Sequence, residues 1–161
     1  MVCAAPVVLG TLAYVFGWGV GKPESYGELI APQPLSGPPF RQLRGKWVLV
    51  SFDSAACGAR CEKKLYAMRQ VRRAQGAQMR TVERLWVLTD SAAPRRELLQ
   101  AIEGTRTAQH GRSAAQFPGK ADEHIYLIDP LGNLMMRFPP DPDPSRMIKD
   151  LERLLKYSAI G

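Results

Sequence analysis

The sequence predicts an α/β domain, and three observations carry that prediction. Short apolar runs read as strands, amphipathic segments between them read as helices, and strand, helix, strand, helix is followed by strand, strand, helix. The 161 residues suit one domain with an appendage, and 45% apolar content suffices for a core.

The chain opens with no charged side chain from Val2 through Gly21. That stretch matches the roughly 20 residues a helix needs to cross a bilayer, and Tyr14 and Trp18 lie toward its end, as interfacial aromatics do. The region before it lacks Lys or Arg and no Ala-x-Ala site precedes Lys22. Residues 1–21 are therefore expected to be a transmembrane anchor or uncleaved signal rather than a cleaved leader. Cys3 then lies in lipid as a small apolar residue. Residues 22–40 are rich in proline and small or polar residues and read as an extended tether, leaving 41–161 as the folded domain.

Leu43-Arg-Gly-Lys46 reads as a turn feeding a strand from Trp47 to Phe52, whose nearly unbroken apolar side chains suit a sheet covered on both faces. From about Ala59 to Gln75, Leu65, Met68 and Val71 fall on one helical stripe, with Lys63, Lys64, Arg69, Arg72 and Arg73 mostly elsewhere. Leu85 to Thr89 is a second buried strand, and Pro94 opens a short helix carrying Leu98, Leu99 and Ile102, ended by Gly104. Gly104 to Lys120 is polar and reads as a loop. His124 to Ile128 and Leu134 to Phe138 are strands joined by the Asp129-Pro-Leu-Gly-Asn133 turn. Ser145 is placed to cap a last helix whose buried stripe is Ile148, Leu151, Leu154 and Leu155.

A net charge of +7 raises the question of nucleic acid, but the bases are spread from Arg41 to Lys156 with only short runs such as Arg69-Gln-Val-Arg-Arg73. No clustered basic face interleaved with exposed aromatics is evident, so no nucleic-acid partner is expected. Cys57 and Cys61 carry more chemical information, because they sit where an apolar strand meets a charged helical segment. A thiolate pair there suits redox or metal chemistry, and a structural disulfide is the plainer alternative.

This order of elements, with its cysteine pair at the first strand-to-helix junction, resembles the thioredoxin-like fold, a central mixed sheet flanked by helices. Within that superfamily the chain looks most like the Sco/SenC proteins, membrane-anchored factors of cytochrome c oxidase assembly. The resemblance rests on the anchor and tether, Leu43-Arg-Gly-Lys46, the Cys57-x-x-x-Cys61 pair with Leu65 four residues beyond it, Val87-Leu-Thr-Asp90, and Tyr126-Leu-Ile-Asp129-Pro-Leu-Gly132. It departs from the family in having Gly58 and Glu62 where prolines usually flank the cysteines. Ala121 or its neighbour falls where the family carries a copper-ligating histidine.

The resemblance implies a domain facing the bacterial periplasm from the inner membrane. It also implies copper as cargo, and cytochrome c oxidase subunit II or another periplasmic thiol protein as partner. In a redox role, Cys57 at the helix N-terminus is the attacking thiolate, favoured by the helix dipole and Arg60, and Cys61 one turn later resolves the mixed disulfide. In a metal role both sulfurs bind copper(I) and a neutral histidine completes the site. His124 is the candidate third ligand, with a polar residue at a strand edge as its ordinary alternative; His110 lies in an unplaced loop.

Asp90 is read as a helix cap or as a group orienting the thiols, and Met135 and Met136 as strand residues rather than soft ligands. Glu123 falls near the position of the thioredoxin cis-proline, and the effect of Asp53 on the thiols has no sign from sequence. Two further functions stay open. One is a general periplasmic thiol-disulfide oxidoreductase; the other is a non-catalytic interaction protein stapled by a 57–61 disulfide.

Overall fold

The computed structural model describes residues 24–158. The anchor expected at residues 1–21 lies outside them, and among the described residues no helix is long and apolar enough to cross a membrane. Six strands form one mixed sheet in the order β1-β6-β5-β2-β3-β4. β2 (Trp47–Asp53), β3 (Val82–Leu88) and β4 (Arg106–Gln109) run parallel, while β5 (Ile125–Ile128), β6 (Asn133–Arg137) and β1 (Glu28–Pro34) extend it antiparallel from β2. The helices are α1 (Pro38–Arg41), α2 (Ala59–Arg73), α3 (Arg96–Ala101) and α4 (Pro144–Ser158). A mixed sheet flanked by helices, as expected, is what forms.

Alternation along the strands builds a core on each face. Leu49, Val82, Ile125 and Leu127 meet Met68 and Val71 of α2 and Met147 and Leu151 of α4. Val50, Phe52, Val87 and Tyr126 meet Leu35, Phe40 and Phe117 on the other face. β2 is buried along nearly its whole length, so its continuous apolar run marks a two-sided centre rather than an amphipathic edge.

Three expectations need correction. The segment read as a tether contributes β1, which pairs with β6 in the register Glu28 to Arg137 and Gln33 to Leu134. Its prolines are tolerated because it lies at the sheet edge, and its mostly exposed side chains leave no apolar pattern to find. The buried Asp150 carboxylate anchors its approach by accepting from Tyr26 N (3.1 Å) and Gly27 N (2.7 Å). The loop read from Gly104 to Lys120 contains β4, whose Arg-Thr-Ala-Gln sequence is polar for the same edge-strand reason. Asp143, not Ser145, caps the last helix: Asp143 Oδ1 accepts from Ser145 N at 2.9 Å, with Pro144 as the first helical residue.

Candidate redox and metal site

The site is built where β2 ends at Asp53 and the chain turns before α2. Cys57 N donates to Ser54 O at 3.1 Å, closing the turn, and Cys57 adopts φ 44°, a left-handed conformation that costs a non-glycine residue about 1 kcal/mol or more. Gly58 is the extended N-cap of α2, and Cys61 lies in the helix's first turn. The two sulfurs are bonded as a disulfide with Cα atoms 5.1 Å apart. Cys57 and Cys61 are only 2% and 3% exposed, packed in one apolar cluster with Leu65, Trp86, Leu88, Leu98 and Ile102.

Two residues of the β3–α3 connection brace the turn. Asp90 accepts from Ala55 N (3.1 and 3.4 Å to its two oxygens), so it holds the cysteine loop rather than capping a helix. Arg95 Nη2 donates to the Cys57 carbonyl at 3.3 Å and to Glu62 Oε1 at 2.5 Å, bridging loop and helix. Arg60, expected to lend charge to a thiolate, instead reaches Asp122 (3.4 Å) and Glu123 (3.8 Å).

Lys64 is the residue the helical stripe misplaced. It is 1% exposed, with Nζ 2.5 Å from Asp53 Oδ2 and donating to Phe52 O (3.2 Å) and Asp122 O (2.5 Å). Burial raises the pKa of the Asp53 carboxyl and lowers that of the Lys64 ammonium, in each case against their mutual attraction. No sequence signal separates Lys64 from the solvated Lys63 beside it, and none marked Arg95.

His124 follows a 3₁₀ turn (Ala121–Glu123) rather than opening the strand. Its Nδ1–H donates to Phe138 O at 2.7 Å, because a carbonyl only accepts, and Nε2 is left as the ring nitrogen open to another partner. His124 lines a hollow with Tyr26, Glu28, Arg137 and Phe138 that neither cysteine enters. His110 sits at the start of another 3₁₀ turn, its ring packed against Gly37. Met136 is buried in the core, with Met135 packed against the same cluster. Glu123 pairs with Arg60 and Lys120, and no cis peptide occurs among the described residues. Among those residues no three His, Cys, Asp or Glu side chains gather into a metal-binding group.

A mixed sheet with a cysteine pair at the junction of its central strand and following helix defines a thioredoxin-like domain. Residues 47–158 match the family described as transmembrane-like, thioredoxin-like, C-terminal domain, and the chain belongs to that family. A comparison with curated protein sequences returns no match.

Among solved structures, apo Sco1 from Thermus thermophilus superposes with TM-score 0.65 at 20% identity, covering 84% of this chain and 99% of that one. Copper-bound yeast Sco1 gives 0.60 at 18% identity, covering 84% and 95%. A protein assigned as thiol:disulfide interchange protein DsbE from Chlorobium tepidum gives 0.52 at 16%, covering 85% and 99%. The chain therefore shares the Sco fold, as the sequence resemblance implied.

Proposed function

We propose that this protein is a Sco-like factor of cytochrome c oxidase assembly. Anchored in the bacterial inner membrane and facing the periplasm, it handles the thiols and copper of the subunit II copper centre. The observation that carries this reading is the Cys57–Cys61 pair, closed across the first turn of α2 on a Sco-type sheet.

In the redox step the reduced Cys57 thiolate attacks a partner disulfide, forming a mixed disulfide and releasing one partner thiolate. Cys61 then attacks Cys57 Sγ, re-forming the 57–61 bond and releasing the second partner thiolate, so two electrons pass to the partner. A periplasmic dithiol reductant returns the pair to its reduced form.

Copper(I), as cargo, is a soft ion suited to two thiolates one helical turn apart. The donors already together fit that two-sulfur form. His124 enters as a third ligand only if its ring leaves the Phe138 carbonyl and the hollow it lines with Tyr26 and Arg137.

Anaerobic copper(I) titration of the reduced protein tests the cargo role. One tightly bound equivalent, lost in Cys57→Ala and in Cys61→Ala, is expected, and no tight binding removes copper from the proposal. An unchanged affinity in His124→Ala removes the histidine alone.

A second reading, general thiol-disulfide exchange without copper, is favoured by the absence of a gathered third donor among the described residues. It predicts Cys57-dependent reduction of model disulfides. The deep burial of both sulfurs favours the third reading, a structural staple, which holds if Cys57→Ser and Cys61→Ser leave oxidase assembly intact in cells.

A further inference from the structure

A groove of about 880 Å³ runs between α2 and α3. Along α2 it is lined from Ala59 through Tyr66 to Arg69, a span of ten helical rises or about 15 Å. Roughly four or five residues of extended chain span that distance.

The two ends of the groove differ. At the upper end its wall includes Glu62 and Arg95, the pair that bridges to the Cys57 carbonyl. Leu98 and Ile102, which also line it, belong to the apolar cluster around the disulfide. Neither cysteine lines the groove, but Ala59 stands two residues from each, so a chain lying in it ends beside the cysteine turn.

Arg69 stands at the far end of the α2 wall and, among the described residues, makes no ion pair. Arg84 on β3 does not line the groove; it is 3% exposed, and its Nη2 donates to Glu103 O while its buried Nε and Nη1 have no partner. Its neighbour Glu83 is engaged with Arg106. Trp86 Nε1, two residues along the same strand face, is also buried without an acceptor. Burial first, and then Arg72, Arg69 and Arg73, push the Arg84 guanidinium down to about 10, so the local field has an excess of positive charge. Unmatched buried donors on β3 and a half-buried Arg69 without an ion-pair partner among the described residues leave this end short of negative charge.

We infer that the groove receives the cysteine-bearing segment of the thiol partner in extended form, with an acidic side chain roughly four or five residues from that cysteine set against Arg69. Glu62 and Arg95 neutralise each other at the cysteine end, Lys63 is paired with Asp141, and Glu97 on the α3 wall disfavours acidic residues beside it. This deepens the thiol-exchange part of the function proposed above and rests on it.

The test uses the Cys61→Ser variant and synthetic peptides whose single cysteine is activated as a mixed disulfide with thionitrobenzoate. Cys57 thiolate attacks the peptide sulfur, the peptide–Cys57 disulfide forms, and the coloured thionitrobenzoate anion leaves. A peptide with Glu five residues from its cysteine is expected to react about fivefold faster than its Lys counterpart, the scale of one exposed ion pair. The preference is expected to vanish in Arg69→Ala and at high salt.

Fluorescence anisotropy supplies a readout independent of thiol chemistry: the disulfide-bonded protein binds a Ser-for-Cys acidic peptide, and Arg69→Glu does not. Equal rates with a reactive Cys57, or a preference that survives Arg69→Ala, overturn the groove and leave thiol exchange standing. Retained binding beside an inert Cys57 overturns thiol exchange and leaves the groove as a peptide site.

Discussion

The ammonium of Lys64 lies 2.5 Å from Asp53 Oδ2 where β2 gives way to the cysteine loop, and the same nitrogen holds the carbonyls of Phe52 and Asp122. One buried side chain thus ties the central strand, the cysteine-bearing helix and the turn before His124. Lys64→Met is expected to cost about 3–5 kcal/mol by stranding the Asp53 charge, and the double variant with Asp53→Asn to cost less. Urea denaturation of the oxidised proteins measures both.

The same pair sets a pH signature. Burial lowers the Lys64 pKa in the folded protein below its ordinary 10.5. Between the folded pKa and 10.5 the unfolded chain binds more protons, so the Lys64 contribution to stability rises with pH across that window. Wild type is therefore expected to gain relative to Lys64→Met as pH climbs toward 10.5, and a flat difference in denaturation midpoint contradicts the shift.

Arg95 joins the Cys57 carbonyl to Glu62, bridging the cysteine turn and the helix that carries Cys61. The bridge is about half exposed, so Arg95→Ala should cost under about 1 kcal/mol of stability. Access to the sulfurs should change more, with reduction by dithiothreitol several-fold faster than in wild type. Stopped-flow reduction followed by thiol labelling measures the rate, and an unchanged rate means the bridge does not gate the pair.

Asp90 tests whether the loop is held from β3. Its carboxylate receives Ala55 N, and removing this charge-assisted bond in Asp90→Ala should cost about 1.5–3 kcal/mol, with Asp90→Asn recovering part of it. Thermal denaturation of the oxidised protein distinguishes the two variants.

Asp150 tests the docking of β1. Asp150→Ala leaves the amides of Tyr26 and Gly27 without their acceptor, and hydrogen exchange over residues 24–34 is expected to speed up before any other part of the sheet. Exchange unchanged there means strand pairing alone holds the edge.

The central strands, the three longer helices and the junction bearing the cysteines were legible because burial imposes a pattern. β2 and β5 are continuous apolar runs, and Leu65, Met68 and Val71 recur at helical spacing. β1 and β4 were illegible because edge strands gain mainly backbone hydrogen bonds, which any polar sequence supplies. Lys64 was illegible because its burial depends on Asp53 and the Asp122 carbonyl, eleven and fifty-eight residues away.

By itself the sequence determined the fold class and the local closeness of Cys57 and Cys61, since four residues of chain at a strand-to-helix turn keep two sulfurs within bonding reach. Only the tertiary structure decided what surrounds them. It buried the disulfide among Trp86, Leu88 and Leu98, set Arg95 over its loop, drove Lys64 against Asp53, and turned His124 toward the Phe138 carbonyl. Those neighbours come from distant strands and helices, and their positions follow from closing the whole sheet and core rather than from any local pattern.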